Sequence, residues 1–399
     1  MVEPVDRRTA LALGGLGVGA LASAPLWAQT LVDLGLSDGT GQRALTDAFP
    51  GKKGMILQRS RAPLLETPMA AFDGALGDDP FTPNDRFYVR WHYADIPLSV
   101  DAGAFRLRIA GAVKRATLLS LADIQAMPKV EIAAVNQCSG NSRGLFGPRV
   151  PGAQWGNGAM GNARWTGVRL RDLLDRAGVA PGVVHVKVSG LDQPPGEAPK
   201  FAKALALDHA RTDDVIVAYG MNGAALPLLN GFPLRLIVPG YYSTYWIKAL
   251  DSIELLTTPD TGFWMEKAYR IPATADAGVK PGAKDFATVP IGQMPPRAFF
   301  TRTTPQEARG IALGGDAGVS KVEVSLDGGR SWKAAQLGPD HGAYSFRRWA
   351  MPLAGLSRGP HEIAVRTVNT RGVGQKATPI WNPGGYMRSS IETTRVVIA

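Results

Sequence analysis

Val135-Asn136-Gln137-Cys138-Ser139-Gly140-Asn141-Ser142-Arg143-Gly144 carries the chain's one cysteine, set where an apolar run breaks into a polar, glycine-containing turn. The run leading into it, VEIAAVNQC (130–138), reads as a mostly apolar strand. A single cysteine excludes an intramolecular disulfide and every multi-cysteine zinc or iron–sulfur site. It also excludes a covalent c-type haem, which needs two cysteines and a histidine in one motif. The residues alone leave three readings of Cys138 open. It is a buried structural thiol. It is a nucleophile, although none of the five histidines sits in a local cysteine-hydrolase signature. Or it is a thiolate metal ligand, favoured by Arg143 because a guanidinium lowers a thiol's pKa. One cysteine cannot hold a metal alone, so the remaining ligands would come from a cofactor.

Working outward, the pattern predicts a mixed α/β domain over 81–275. FYVRWHY (87–93) and the alternating FRLRIAGAV (105–113) read as strands. Ser120 caps a short helix closed by Pro128. GVRLRDLLDRAGV (167–179) is an amphipathic helix with Leu170, Leu173 and Leu174 on one face and Gly178 at its end. VVHVKVSG (183–190), DVIVAYGMNG (214–223), PLRLIVPG (233–240) and IKALDSIELL (247–256) add strands. Residues 29–80 read as a loosely structured lead-in and 276–290 as a Gly/Pro/Ala-rich linker. Beyond it, 291–399 shows only strands and turns. Two strands flank an Asp-Gly-Gly turn within 319–337, and 361–375 alternates throughout. The fold class is therefore α+β, an α/β domain followed by an immunoglobulin-like β-sandwich.

The 399 residues are 45% hydrophobic and 20% charged, enough apolar material for two or three packed domains. The 47 glycines and 30 prolines favour many turns over a helical bundle. The net charge of +10 suits an anionic partner. Nucleic acid is the poorer choice, because Lys and Arg are scattered and no nucleic-acid-binding motif is present. Residues 1–28 carry Arg7-Arg8, a Gly/Ala-rich apolar stretch and small residues up to Ala28. This is a twin-arginine signal pattern. It predicts periplasmic export of a folded protein with no membrane anchor in the mature form, since no other stretch is long enough to span a bilayer.

NQCSGNSRG, with FYVRWH before it and GNARWTGVRLRDLL after it, resembles the sulfite oxidase family of molybdenum enzymes. So do GLD (190–192), AYGMNG (218–223), LNGFPLRLIVPG (229–240) and the DGGRSW hairpin, in order over about residues 80–390. The resemblance implies that Cys138 binds molybdenum, with a pyranopterin dithiolene supplying two further sulfurs; a soft metal with soft ligands is chemically apt. It implies an anion pocket of Arg90, Arg143 and Trp155 with an active-site Tyr269. His92, Asp192, Asn230, Arg235, Trp246 and Lys248 fall on cofactor-binding positions. An anionic pterin phosphate calls for such cationic partners.

The sequence also departs from the animal enzymes. Trp91 stands where they have Asn, and Asn230 where they have His. Gly384 stands where they carry a pocket arginine, and Arg388 is the candidate to replace it. These differences point to the bacterial branch, which includes sulfite dehydrogenases and the sulfane dehydrogenase subunit of the thiosulfate-oxidising system. The leading expectation is oxidation of sulfite to sulfate, with no haem in this chain. Electrons would pass to a separate cytochrome c type acceptor, and the sandwich would form a homodimer with Trp349 and Trp381 among the buried residues. Sulfane dehydrogenation is the alternative. A secreted binding protein without chemistry is the third reading, and metal analysis separates it from the others.

Overall fold

The computed structural model describes residues 30–398. The signal peptide expected over 1–28 lies outside them. The apolar strand Val130–Gln137 pairs along its whole length with Met160–Arg169, from Val130 opposite Gly167 to Gln137 opposite Met160. The second strand was legible only as a motif, its polar Asn162 and Arg164 breaking the expected alternation. Ile216–Met221 continues this sheet, flanked by Ala224–Ala225 and Arg235–Ile237. A second sheet runs in the order Ala202–Ala206, His185–Gly190, Leu250–Leu256, Arg106–Gly111, Thr117–Ser120. Its pairing of Leu250–Leu256 with Arg106–Gly111 is parallel.

The helices behave as their sequences dictate. Ser120 and Asp123 form a reciprocal capping box at Leu121–Gln125. In Leu170–Ala177 the buried residues are Leu170, Leu173, Leu174 and Ala177, a stripe at helical spacing. Each buried leucine contributes roughly 2 kcal/mol. Gly178 ends this helix at φ 74°, a conformation a side chain would resist.

The segment 29–80 is not a loose lead-in. Leu31–Asp33, Gln42–Thr46, Met55–Arg59 and Leu64–Glu66 form a meander that continues into Val89–Arg90. Only those two residues of FYVRWHY are strand. The 276–290 linker also gives up its end, since Thr288–Pro290 pairs with Arg270–Pro272.

The C-terminal part is a sandwich of two four-stranded sheets. One runs Arg297–Thr303, Glu307–Leu313, Arg347–Pro352, Gln336–Leu337, and the other Lys333–Ala334, Val319–Ser325, Gly359–Asn369, Glu392–Ile398. Val322, Val324, Ile363 and Val365 of one sheet meet Ala308, Ala312 and Met351 of the other in its core. Trp349 sits in that same core at 1% exposure, with its indole N–H donating to Ile311 O. It is therefore not free for an interface between copies, contrary to the expectation. Trp381 is half-buried and donates to Pro148 O.

Candidate active site

Strand Val130–Gln137 ends by delivering Cys138 into a tightly pinned loop. Cys138 N–H donates to Ala159 O, and Asn141 N–H returns to Cys138 O. The Asn141 side chain accepts from Ala159 N–H and donates to Gln137 Oε1. Ser142 adopts φ 68°, a left-handed conformation that its surroundings must hold. It is held by Ser142 N–H donating to Gly156 O at 2.7 Å, and by Arg297 of the sandwich donating to Ser142 Oγ at 3.0 Å. Arg297 is 1% exposed and also pairs with Glu392 at 2.8 Å. Cys138 itself stays 7% exposed, at the junction of two cavities that share Arg90, Cys138 and Tyr269 as walls.

The inner cavity is lined by Tyr88, His92, Ser139, Phe201, Arg235, Ser243, Thr244 and Lys248 besides the shared residues, and no carboxylate is among them. Its cations crowd one another. Burial, reinforced by Arg235, lowers Lys248 to about 7 against the pull of Asp192. Burial lowers Arg235 to about 10. Arg235 donates to Asn230 O and Asn136 Oδ1, but its Nε has no partner. Arg90 Nη1, Asn136 Nδ2, Ser139 Oγ and Thr244 Oγ1 are likewise buried and unpartnered among the described residues. Orphaned donors beside uncompensated cations are costly unless an acceptor-rich anion fills the space.

At the junction, His92 Nε2 and Tyr269 Oη are 2.6 Å apart and hydrogen-bonded. The His92 ring stacks on Phe201 at 3.5 Å. Burial first, then Arg90, Lys248 and Lys203, hold its pKa well below the usual histidine range, so it is neutral. Burial raises the Tyr269 phenol, which therefore stays protonated. Tyr269 itself has φ 56° and is fixed by Ile291 N–H donating to its carbonyl. Tyr241, Tyr242 and Tyr245, the other tyrosines of the same region of the chain, line neither cavity.

The outer cavity holds Arg59, Arg143, Trp155 and Tyr386 around the same junction. Arg143 lies in a cage built for it. A Cβ at Gly140 would fall 2.5 Å from its guanidinium, and one at Gly152 would fall 2.7 Å away. Its Nε donates to Gly384 O at 3.0 Å, and its guanidinium lies 5.2 Å from the Tyr386 ring centroid. Arg388 does not replace the missing arginine. It is paired with Glu392 at 2.7 Å and lines neither cavity.

Among the described residues, no group of three or more His, Cys, Asp or Glu side chains could hold a metal ion. The described residues thus give Cys138 no set of His, Cys, Asp or Glu partners for a metal. Residues 93–264 match the family model described as oxidoreductase molybdopterin binding domain, and 298–397 the Mo-co oxidoreductase dimerisation domain. Sulfite oxidase of Gallus gallus is 33% identical over 77% of this chain and 71% of that protein. Mitochondrial sulfite oxidase of Homo sapiens is 31% identical over 81% of this chain and 63% of that protein. The chain belongs to the sulfite oxidase family. The fold agrees with that of the sulfane dehydrogenase SoxCD from Paracoccus pantotrophus, with a TM-score of 0.73 at 21% identity, covering 89% of this chain and 88% of that one.

Within this sulfite oxidase fold, the expected site residues divide by position. Arg90, His92, Cys138, Arg235, Lys248 and Tyr269 meet in the inner cavity, and Arg143 and Trp155 in the outer one. Asp192 is buried and near Lys248 but not on either wall. Asn230 and Trp246 are also brought near without reaching a wall. Both ends of the Asn230 amide are taken, the oxygen by Lys52 Nζ and the nitrogen by Tyr88 O. The Trp246 N–H is taken by Tyr241 O. They brace the cavity from behind. Arg59, Tyr88, Ser139, Thr244 and Tyr386 went unnoticed in the sequence. Tyr88 and Ser139 lie inside motifs already quoted, so adjacency to Arg90 and Cys138 was the available signal. Arg59 carried none.

Proposed function

We propose that this chain oxidises sulfite to sulfate at a molybdenum–molybdopterin centre and passes the electrons to a separate cytochrome c type protein. The observation that supports it is the junction of the cavities, where the lone thiol of Cys138 faces guanidinium groups on one side and orphaned donors on the other. In this reading Cys138 would ligate the metal as thiolate, while Arg235, Lys248, Ser139 and Thr244 would hold the phosphorylated pterin. When bound, that group supplies the two-electron oxidation and the oxygen transfer to sulfur.

The protein's own part is to bind and orient. Sulfite carries between one and two negative charges near neutral pH, and leaving water is prohibitively costly for such an ion unless cationic donors replace the lost hydrogen bonds. Arg90 and Arg143, which line the outer cavity together with Cys138, provide those donors. The Tyr269 hydroxyl, held by neutral His92, adds a hydrogen bond at the junction without adding charge. Trp155 limits the space beside Arg143. Preorganised charge of this kind stabilises an oxyanion more than mobile water does.

Export by the twin-arginine route to the periplasm and a homodimer built through the sandwich complete the proposal. The test is metal analysis of the exported protein together with sulfite-dependent reduction of cytochrome c. One molybdenum per chain with sulfite turnover supports it. A loaded protein that ignores free sulfite but oxidises a carrier-bound persulfide would move the assignment to sulfane dehydrogenation.

A further inference from the structure

Strands Met55–Arg59, Leu64–Glu66 and Val89–Arg90 lie side by side, with Arg59 opposite Leu64 and Leu64 opposite Arg90. Residues directly opposite across antiparallel strands share a face. The register of the first pair slips between Leu57 and Arg59, so Gln58 is skipped. Such a bulge re-aims side chains. Here it sends Gln58 to Glu66 Oε2 at 2.7 Å and brings Arg59 into the row of Arg90. All three members of that row line the outer cavity with Arg143, and no carboxylate does. The Arg59 Nε–H is used by Ala62 O at 3.2 Å. Arg59 is exposed like Arg61, and its partial desolvation, then the nearby Arg90, lower its pKa.

The wall at Gly384 supplies no cation of its own. A side chain at Gly384 would run into the Tyr386 ring, so that wall offers only a carbonyl, which Arg143 already occupies. We propose that Arg59 is the third cation of the oxyanion pocket and a determinant of its affinity for doubly charged sulfur oxyanions. The inference rests on reading the outer cavity as the sulfite pocket.

The test titrates sulfate, the product anion, calorimetrically into the full-length protein and its Arg59→Met, Arg59→Lys and Arg61→Met variants. Metal content is matched and ionic strength held constant, and sulfite kinetics are run alongside. Arg61 is exposed and lines neither cavity, so its variant controls for the loss of one charge from a basic surface. Arg59→Met should weaken sulfate binding at least about fivefold and raise KM for sulfite by a similar factor, with kcat within about twofold of wild type. Arg59→Lys should recover part of the affinity, and Arg61→Met should match wild type. Unchanged sulfate affinity in Arg59→Met, an equal loss in Arg61→Met, or no sulfate binding by wild type would overturn the assignment. A wild-type protein that binds sulfate through Arg59 yet turns over no sulfite leaves the assignment standing and removes the sulfite reading.

Discussion

Cys138 combines two properties that a structural thiol does not need. It is nearly buried, yet it faces a cavity from which donors emerge without acceptors. Cys138→Ser should keep the fold and retain pterin through the cationic wall while losing activity by about a hundredfold or more, because a hydroxyl is a poor substitute for thiolate at a soft metal. Pterin fluorescence after denaturation, read beside turnover, checks both halves. Arg90→Met and Arg143→Met should each raise KM for sulfite at least about tenfold, equal to ~1.4 kcal/mol of lost binding. Steady-state kinetics on metal-matched samples decide this. Lys203, on the strand beside Phe201, is fully buried, and burial lowers it to about 7 from 10.5. Between those values the unfolded chain binds the proton and the folded chain does not, so this residue's contribution to stability rises with pH across that window. Urea midpoints from pH 7 to 10 should therefore climb more steeply in wild type than in Lys203→Met.

The N-terminal meander positions the site more than its sequence suggested. Glu66 is 1% exposed and accepts from Gly156 N–H at 3.1 Å, Gly158 N–H at 2.9 Å and Gln58 Nε2 at 2.7 Å. It thereby fixes the loop that carries Trp155. Glu66→Gln leaves one accepting oxygen for three donors and should cost about 1–3 kcal/mol, seen as a lower urea midpoint. Elements were legible where one periodicity dominates. Leu170–Ala177 is of this kind, because its burial follows side-chain spacing, while Val130–Gln137 was legible as a mostly apolar run whose last four residues are all buried. Leu31–Glu66 was opaque because its strands are three to five residues long and mix polar with apolar positions. Their stability comes from pairing with distant chain, which local pattern does not record. The same holds at the site. Residues beside Cys138 in sequence could be read, whereas Arg59 and Tyr386 join it only through strand register and packing.

At the scale of the whole molecule, the sandwich is both a separate core and a part of the catalytic frame. As a dimer-forming element it should give a native mass about twice that of one chain, and light scattering at the chain's own mass would remove that expectation. Its other duty runs through one side chain. Arg297 reaches from the first strand of the sandwich to Ser142 in the cysteine loop, and its charge is balanced by Glu392 in the last strand. A buried arginine deprived of its carboxylate is strongly destabilising. The loop that presents Cys138 thus takes its final form only when Glu392–Ile398 has docked in the sandwich. Assembly acquires a built-in order: the sandwich closes around Arg297, and only then does a competent pocket exist to receive a prosthetic group. A chain cut short of Glu392, however well residues 81–275 fold, would have no finished seat to offer one.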